Sequence, residues 1–273
     1  MLKERHMEYN DLIVVCGDPI KDVYLKEALD ENQKIRTEEI IIRPGGALNV
    51  LDNVASLIGK HNLWFEPKEI PQDIYTIIRP SMVNREIFLT EQSKKLTHYS
   101  ESEIDVDSAL RYFDKNFDRT AIVFADYNKG MLNKQKYKNE IKHEFDFCLV
   151  DSKYKSINLD LLKSCKVKIW HATGEEYCPS YAKNFDWVLH TNAEKPILLK
   201  RDNEVIVSID VPSTEPTNTC GAGDTFTAAT ASFLLRKVTE INIDTLSQAA
   251  EFARDCCQEV ITDPYTAATT ANL

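Results

Sequence analysis

Residues 218–226 read Asn-Thr-Cys-Gly-Ala-Gly-Asp-Thr-Phe, so two glycines and a carboxylate directly precede an apolar, alanine-rich run. That run, residues 226–235, has the composition of a helix. The N-terminus of a helix carries unpaired N–H groups and a partial positive charge, which suit an anion such as phosphate. A carboxylate there repels phosphate unless it has a chemical task, and one such task is taking a proton from an attacking alcohol. Asp224 is therefore a candidate general base.

The same residues also fit a plainer interpretation. Gly221, Ala222 and Gly223 would form a tight turn, and Asp224 would be the N-cap of an ordinary helix. Short glycine motifs are weak evidence by themselves. The choice depends on what the rest of the chain places beside Asp224.

Composition narrows the class of protein. The 273 residues are 43% hydrophobic and 28% charged, which is enough apolar material for a sizeable core, and we predict a single domain over residues 1–273. The net charge of −10 argues against a general nucleic-acid binder. There is no run of about 18 apolar residues and no apolar leader, so we expect neither a membrane span nor a signal peptide. Seven scattered cysteines without a CxxC pair favour free thiols in the cytoplasm.

The elements that must position Asp224 alternate along the chain. Short β-branched apolar runs predict strands at residues 12–16, 40–42, 120–125, 146–150, 167–170, 187–191, 196–200 and 205–209. Helical spacing predicts helices at residues 47–58, 107–117, 133–142, 159–164, 175–183, 226–236 and 245–261. This order is typical of an α/β fold with a largely parallel sheet. Two segments, 74–78 and 85–89, alternate polar and apolar residues instead and predict antiparallel strands.

Polar residues follow several of the predicted strands. Asp18, Asp126, Asp151 and Thr173 each come shortly after a β-rich run. Ligands of parallel sheets bind at the carboxyl ends of the strands. The sequence therefore predicts a binding site at that edge of the sheet.

Four motifs spread over nearly the whole chain carry a resemblance to one family. They are Gly17-Asp18 with Asp22 and Tyr24, then Arg43-Pro44-Gly45-Gly46-Ala47-Leu48-Asn49-Val50, then Ala125-Asp126-Tyr127-Asn128-Lys129-Gly130, and Gly221-Ala222-Gly223-Asp224. In this order they resemble the signatures of the ribokinase-like (PfkB-type) sugar kinases. The third motif is most similar to the branch that phosphorylates D-glycero-D-manno-heptose 7-phosphate.

The resemblance implies an architecture. We expect a ribokinase-like three-layer α/β/α fold with a mostly parallel central sheet. A small β-strand lid, built from about residues 23–43 and 71–100, would cover the sugar. In relatives such lids pair between subunits, so the lid is where a homodimer would form, and pairing also hides exposed strand edges.

The resemblance also implies catalytic roles. Asp224 would deprotonate the sugar hydroxyl, while Gly221, Ala222 and Gly223 would form an anion hole for the γ-phosphoryl group of ATP. This assignment fits phosphoryl transfer, in which positioning and charge stabilisation dominate.

On the sugar side, the resemblance implies that Asp22 and Asn49 hydrogen-bond sugar hydroxyls and that Gly45 and Gly46 let the sugar approach the backbone. Lys129 would meet the phosphate of a sugar phosphate. Each assignment has a plainer alternative: a turn bond for Asp22, a helix cap for Asn49 and a solvated surface position for Lys129.

On the nucleotide side, the resemblance implies that Lys153, Thr191 and Cys220 bind ATP and that Glu176 helps to place Mg²⁺. Lys153 also fits a surface lysine, and His171 is better explained as a structural residue than as a catalytic one.

Four departures from the family pattern stand out. Thr173 replaces an asparagine three residues before Glu176, and Asn218 replaces an aspartate before the glycine motif. The turn at residues 191–196 lacks both family glycines, and we expect it to be reshaped because Ala193 and Pro196 do not readily take positive φ. The stretch 59–71 is too short for the usual peripheral strand–helix–strand unit.

The favoured function is therefore an ATP-dependent sugar or sugar-phosphate kinase, with heptose 7-phosphate as the leading substrate. A ribose, hexose or nucleoside substrate stays open. The alternative is a weakly active or inactive relative that binds a sugar or nucleotide on the same fold. A dinucleotide-dependent oxidoreductase or a P-loop enzyme is disfavoured because neither glycine fingerprint is present.

Overall fold

A computed structural model describes residues 10–32, 34–60, 63–66, 75–80, 87–88, 107, 117–132, 141–271 and 273. In the described chain the strands are β1 (Asp11–Gly17), β2 (Pro19–Leu29), β3 (Ile35–Gly46), β4 (Leu63–Glu66), β5 (Tyr75–Pro80), β6 (Ile87–Phe88), β7 (Arg119–Asp126), β8 (Phe145–Ser152), β9 (Cys165–Thr173), β10 (Trp187–Asn192), β11 (Lys195–Arg201) and β12 (Glu204–Ile209). The helices are α1 (Ala47–Ile58), α2 (Pro179–Ala182), α3 (Ala222–Lys237) and α4 (Ile243–Val260). Two 3₁₀ turns cover Leu159–Ser164 and Gly174–Glu176.

Eight strands form the central sheet in the order β12-β11-β10-β9-β8-β7-β1-β4. All neighbouring pairs from β4 to β10 are parallel, while β11 and β12 extend one edge as antiparallel strands. The carboxyl ends of six strands therefore share one edge of the sheet, as the α/β prediction requires.

The strands are buried on both faces, which explains why they read as continuous apolar runs. In β1, Ile13 and Val15 pack into a core with α1, α3 and α4, while Leu12, Val14 and Cys16 pack into a second core on the opposite face. This period-2 division gives the sheet an apolar core on each face, as a three-layer α/β/α fold requires.

The predicted lid is a second sheet with the strand order β3-β2-β5-β6. Strands β2 and β3 pair antiparallel, as do β5 and β6, but β2 and β5 are parallel. The antiparallel pairing predicted for the strands at 74–78 and 85–89 is therefore confirmed for β5 and β6, while the parallel pairing of β2 with β5 was not predicted. Of the predicted segment 71–100, only residues 75–80 and 87–88 lie within the described part of the chain.

Several predicted boundaries are corrected. Strand β3, predicted only over residues 40–42, runs from Ile35 through Pro44 to Gly46, because β3 is an edge strand and an edge tolerates the missing proline N–H. Strand β9 continues to Thr173, so His171 lies inside the strand rather than after it. The helix predicted over 175–183 is divided, because Pro179 holds Cys178 in an extended conformation with φ −136° and ψ 114°.

Of the remaining predictions, one helix is confirmed and two helices fall mostly on residues that the structure does not describe. Helix α1 has the predicted bounds, and Gly59 caps it through its N–H and the Ala55 carbonyl at 3.0 Å. The predicted helices at 107–117 and 133–142 fall mostly outside the described residues. Strand β4 was not predicted; it adds an edge to β1 where relatives were expected to carry a larger unit.

Among the described residues, no helix is both long and apolar enough to cross a membrane.

Candidate functional site

Asp224 lies in the first turn of α3, at the carboxyl edge of the central sheet. The N-cap of this helix is Gly221, whose φ of 85° is left-handed, and no side chain in the described ranges caps the helix. The plainer interpretation, in which Asp224 is itself the N-cap, is therefore wrong. The Asp224 carboxyl group is free to serve another purpose.

Gly221 is required by its surroundings. A Cβ atom at this position would lie 2.6 Å from Asn49 Nδ2 and 2.8 Å from Thr266 Cγ2. Gly223 differs, because among the described residues only His171 Cε1, at 3.9 Å, would lie within contact distance of a Cβ there. Within that part of the chain the space beside Gly223 is thus open, whereas Gly221 is enclosed by protein. Ala222, between them, donates its N–H to the Thr219 carbonyl at 3.3 Å.

A chain of buried amides orients Asn49 toward Asp224. Asn49 Nδ2 donates to Asp224 Oδ2 at 2.9 Å, and Asn49 Oδ1 accepts a bond from Asn53 Nδ2 at 3.2 Å. Asn53 Oδ1 in turn accepts the backbone N–H of Thr269 at 3.0 Å. Because each amide has its oxygen and nitrogen assigned by the next partner, the donor that faces Asp224 is fixed. Asn49 thus supports the candidate base directly.

The second oxygen of Asp224 is also engaged. The Tyr127 hydroxyl donates to Asp224 Oδ1. Burial raises the pKa of Asp224 to about 7, the Asn49 bond and the Arg79 charge oppose that rise, and the nearby Asp22 carboxylate adds to it. The pKa of the Asp224 carboxyl group therefore lies near neutral pH, where a general base is most effective.

Asp22 lies close to this centre and is itself buried. It forms an ion pair with Arg79 of β5, with Oδ1 at 3.0 Å from Nη2, and it accepts a longer bond of 3.4 Å from Thr266 Oγ1. Thr266 also contacts the hydroxyl of Tyr24, and its backbone N–H donates to that hydroxyl at 3.1 Å. Thr266 therefore links the lid strand β2 to the Gly221 turn.

Gly45 and Gly46 are both needed for packing within the protein. A Cβ on Gly45 would lie 2.6 Å from Asp22 Oδ2, and one on Gly46 would lie 2.8 Å from the Asp18 carbonyl. In this structure they let the Asp22 carboxylate and the backbone at Asp18 approach closely. The role predicted from the resemblance, to admit a sugar to the backbone, stays a prediction.

The loop after β7 is held mainly by the buried carboxylate of Asp18, while Asp126 Oδ1 accepts the N–H of Asn128 at 3.0 Å. Asp18 Oδ2 accepts the N–H groups of Tyr127 and Lys129 at 2.9 and 3.0 Å, and Asp18 Oδ1 accepts that of Met131 at 3.0 Å. Burial raises the Asp18 pKa to about 6 despite these bonds. Asp18 thus fixes the backbone that carries Tyr127 and Lys129.

Asp18→Asn is expected to destabilise the protein by about 2 kcal/mol, since an amide nitrogen would face at least one of three buried N–H donors. Urea unfolding at pH 7.5 measures this effect. Asp118→Asn, at an exposed position, is the matched control. Equal unfolding midpoints for the two variants would contradict the assigned role of Asp18.

A second buried polar chain lies on the predicted nucleotide side. His171 Nδ1 contacts Thr227 Oγ1 and His171 Nε2 contacts Thr191 Oγ1, both at 2.9 Å, while Thr227 Oγ1 donates to Asp151 Oδ2 at 3.3 Å. Burial lowers the pKa of His171 to about 3, so the ring is neutral. The histidine is structural, as expected, and it connects Thr191 to helix α3.

The turn that lacks the family glycines is a two-residue hairpin loop, Ala193-Glu194, between β10 and β11. Ala193 takes a φ of 49°, so the expectation that it would avoid positive φ is wrong. Two-residue hairpin loops require positive φ, and here the alanine bears the associated strain. Pro196 lies within β11, on the strand that follows.

The remaining predicted nucleotide residues lie around this edge. Lys153 is exposed just after β8, and Glu176 is half-buried in the 3₁₀ turn after β9. Burial raises the pKa of Glu176, and the Glu176 charge contributes to the raised pKa of Asp151, about 7, so these two carboxyl groups are neighbours. Cys220 precedes the Gly221 turn, and its N–H donates to Asn218 Oδ1 at 3.0 Å.

The contacts of Asn218 account for the asparagine that stands where the family pattern has an aspartate. Its Nδ2 donates to the Pro264 carbonyl at 3.3 Å and approaches the Tyr24 hydroxyl at 3.5 Å. An aspartate has no N–H to donate at this position. The asparagine therefore fastens the segment at 264–266 to the Gly221 turn.

Comparison with known proteins agrees with this geometry. Residues 157–272, which include Asp224 and the Gly221 turn, match the family model described as pfkB family carbohydrate kinase. A ribokinase from Thermotoga maritima aligns with a TM-score of 0.58 at 14% identity, covering 95% of this chain and 96% of that chain. The chain has the ribokinase fold.

Two further solved structures show the same fold. A nucleoside kinase of Methanocaldococcus jannaschii aligns with a TM-score of 0.59 at 13% identity, covering 96% of this chain and 95% of that one. A ribokinase from Arabidopsis thaliana, complexed with ribose and ATP, aligns with a TM-score of 0.58 at 14% identity over 95% and 96% of the two chains. A search of curated proteins found no match. The family match indicates a carbohydrate kinase, which transfers a phosphoryl group to an alcohol.

Sequence reasoning located Asp224, Asn49 and Asp22, and the structure brings these three together. The sequence did not assign roles to Arg79, Tyr127 or Thr266, which contact these three residues. The only local signals were an arginine in an apolar strand and a tyrosine in the motif at residues 125–130. Neither signal identifies a partner that lies many positions away.

Proposed function

We propose that this protein transfers the γ-phosphoryl group of ATP to a hydroxyl of a sugar or sugar phosphate, with Asp224 as the general base. The observation that supports it best is the setting of Asp224. This buried carboxyl group has a donor on each oxygen and lies in the first turn of a helix beside an open glycine. Burial holds its pKa near 7, so at neutral pH it accepts a proton readily.

The proposed anion hole lies at Gly221, Ala222 and Gly223. The first N–H groups of a helix have no partners within it, and the helix dipole adds positive potential there. The open space at Gly223 supports the approach of a phosphoryl group at that residue, while the Ala222 N–H already has a partner in Thr219. Stabilisation of the transferring group by such fixed donors is a main source of rate enhancement in phosphoryl transfer.

On the sugar side we assign Asp22 and Asn49 to sugar hydroxyls, with the lid strands β2 and β3 above them. Lys129 lies in the loop that Asp18 anchors and is assigned to the phosphate of a sugar phosphate. Arg79, paired with Asp22, adds a second cation to this side. These cations, with the resemblance of residues 125–130 to the heptose branch, support D-glycero-D-manno-heptose 7-phosphate as substrate.

On the nucleotide side we assign ATP to the edge lined by Lys153, Thr191 and Cys220. The ATP complex of the Arabidopsis ribokinase, which shares the fold, supports ATP as the donor. Mg²⁺ commonly binds through one or two carboxylates together with phosphate oxygens and water. The neighbouring carboxyl groups of Glu176 and Asp151 fit that donor set, and the ion would neutralise phosphate charge there.

The lid is also assigned as the contact between two subunits. Ile40 and Ile42 lie on the same side of β3 and are 62% and 56% exposed, an apolar surface that favours pairing with a second copy. Sedimentation velocity is expected to show a dimer, and Ile40→Glu combined with Ile42→Glu is expected to yield monomers. A monomeric parent protein would overturn the assignment.

The second candidate function is that of a sugar- or nucleotide-binding protein without turnover. The strained hairpin at Ala193 favours it, because the turn expected beside the nucleotide is altered. The ion pair between Arg79 and Asp22 also favours it, because a ligand must compete with that pair.

ADP release measured over a panel of sugars tests the two functions against each other. The panel includes heptose 7-phosphate, ribose, hexoses and nucleosides. The kinase proposal expects at least one sugar to elicit ADP release that Asp224→Asn abolishes. Ligand-induced thermal stabilisation without ADP release from any sugar would favour the binding protein.

A further inference from the structure

Tyr127 occupies an unusual position at the edge of the central sheet. It directly follows β7, and its ring packs against apolar side chains of both cores, which otherwise lie on opposite faces of the sheet. Its backbone N–H donates to Asp18 Oδ2 at 2.9 Å. Both the ring and the main chain are therefore held, and the hydroxyl has a defined direction.

That hydroxyl points at the candidate base. Tyr127 donates to Asp224 Oδ1, and Asn49 Nδ2 donates to Asp224 Oδ2 at 2.9 Å. One donor on each oxygen fixes the plane of the carboxylate. Each ionised carboxylate oxygen accepts about two hydrogen bonds, so both oxygens still have room for a substrate hydroxyl.

The charged groups around Asp224 disfavour its ionised form, so that form depends on the hydrogen bonds donated by Tyr127 and Asn49. Asp22 faces it with a like charge, and Arg79, the opposing cation, is already paired with Asp22. Cys257 packs beneath the same turn, with its thiol donating to the Ala222 carbonyl at 3.1 Å, and offers no positive charge. Hydrogen bonds donated to a carboxylate favour its charged form.

We propose that Tyr127 is a positioning residue for the general base, with its hydroxyl keeping the Asp224 carboxylate ionised and aimed at the substrate hydroxyl. This inference rests on the proposed function. During transfer the sugar O–H proton passes to Asp224 and the sugar oxygen forms its bond to the γ-phosphorus. The bond between the γ-phosphorus and the bridging oxygen breaks, and ADP leaves with the electrons of that bond. Tyr127 keeps its own proton throughout.

Tyr127→Phe tests the proposal, because it removes the hydroxyl and retains the ring. We expect the acid limb of the pH profile to move up by about one pH unit, so that kcat measured well below pH 7 falls about 10-fold, since hydrogen bonds to charged groups have effects of this order. The KM for the sugar is expected to change less than about twofold, because the hydroxyl acts on the base. Tyr154→Phe, at a residue 60% exposed, is the matched control.

A second measurement does not depend on turnover. In protein labelled with ¹³C at aspartate carboxyl groups, the Asp224 resonance is identified by its absence in Asp224→Asn. Its titration midpoint is expected to rise in Tyr127→Phe and to stay unchanged in Tyr154→Phe. An unchanged midpoint in Tyr127→Phe, with the variant folded as judged by its melting temperature, overturns this inference. Full activity of Asp224→Asn would instead overturn the proposed function.

Discussion

Asp224→Asn is expected to lower the turnover number about 10³-fold, the range lost when a general base is removed. The side chain keeps its size, and its amide oxygen still accepts the bond from Asn49 Nδ2. What it loses is the ability to accept a proton from the sugar. The KM values for sugar and ATP are therefore expected to change little, which steady-state kinetics with saturating Mg²⁺ will measure.

The same substitution is expected to make the protein more stable at high pH. Burial raises the folded-state pKa of Asp224 to about 7 from an ordinary value of 3.8, so the folded state disfavours the ionised carboxylate. The resulting cost is absent below the unfolded pKa and grows as pH rises toward the folded pKa. At pH 8 the stabilisation by asparagine is expected to be up to roughly 4 kcal/mol, and at pH 4 it is expected to vanish.

Thermal melts of the variant and parent at pH 4, 6 and 8 measure this difference. Asp210→Asn, at an exposed position, is the control, and its melting temperature is expected to differ from that of the parent by the same amount at every pH. A variant that is inactive and also destabilised at pH 8 would indicate that the carboxylate holds the turn together, and the assignment as a base would then fail.

Alanine substitutions at Gly221 and Gly223 are expected to differ in effect, the first lowering stability and the second lowering activity. Gly221→Ala places a Cβ 2.6 Å from Asn49 Nδ2 at a residue whose φ is 85°, so a loss of roughly 3 kcal/mol in unfolding free energy is expected. The Cβ of Gly223→Ala would meet no atom closer than 3.9 Å in the part of the chain that the structure describes, so this variant is expected to fold with near-parental stability.

Activity is expected to behave differently in the second variant. If the γ-phosphoryl group approaches Gly223, a methyl group there blocks it, and kcat/KM is expected to fall roughly 10²-fold. Chemical denaturation together with ADP release gives both quantities from one preparation. A Gly223→Ala variant that keeps full activity would remove Gly223 from the anion hole, whatever the fate of Gly221→Ala.

Much of the fold is predictable because each local pattern agrees with its final environment. Helix α1 has the predicted bounds since its apolar residues recur at helical spacing up to Gly59. The central strands are predictable because they are buried on both faces and read as unbroken apolar runs. Asp224 was locatable for a similar reason, since the glycines and the carboxylate that define the turn are adjacent in sequence.

The remainder depends on contacts that no local pattern contains. Arg79 lies 57 positions from Asp22, and Tyr127 lies 97 positions from Asp224, so neither pairing is visible in a window of sequence. The orientation of the Asn49 amide is set by Asn53 and, through it, by Thr269, which lies 216 positions from Asn53. Ala193 shows the opposite case, in which hairpin geometry overrides a residue's backbone preference.

The role of Thr266 has a consequence for the order in which the protein assembles. Thr266 contacts Tyr24 and Asp22 across separations of 242 and 244 positions, among the most distant pairings in the described chain. Closing so long a loop is entropically costly, and such contacts form late in folding. During synthesis, the sheet strands leave the ribosome well before residue 266, so we expect the sheet to begin to form before Thr266 joins β2 to the Gly221 turn. We therefore expect the candidate site to be completed in one of the last steps, after most of the core has formed.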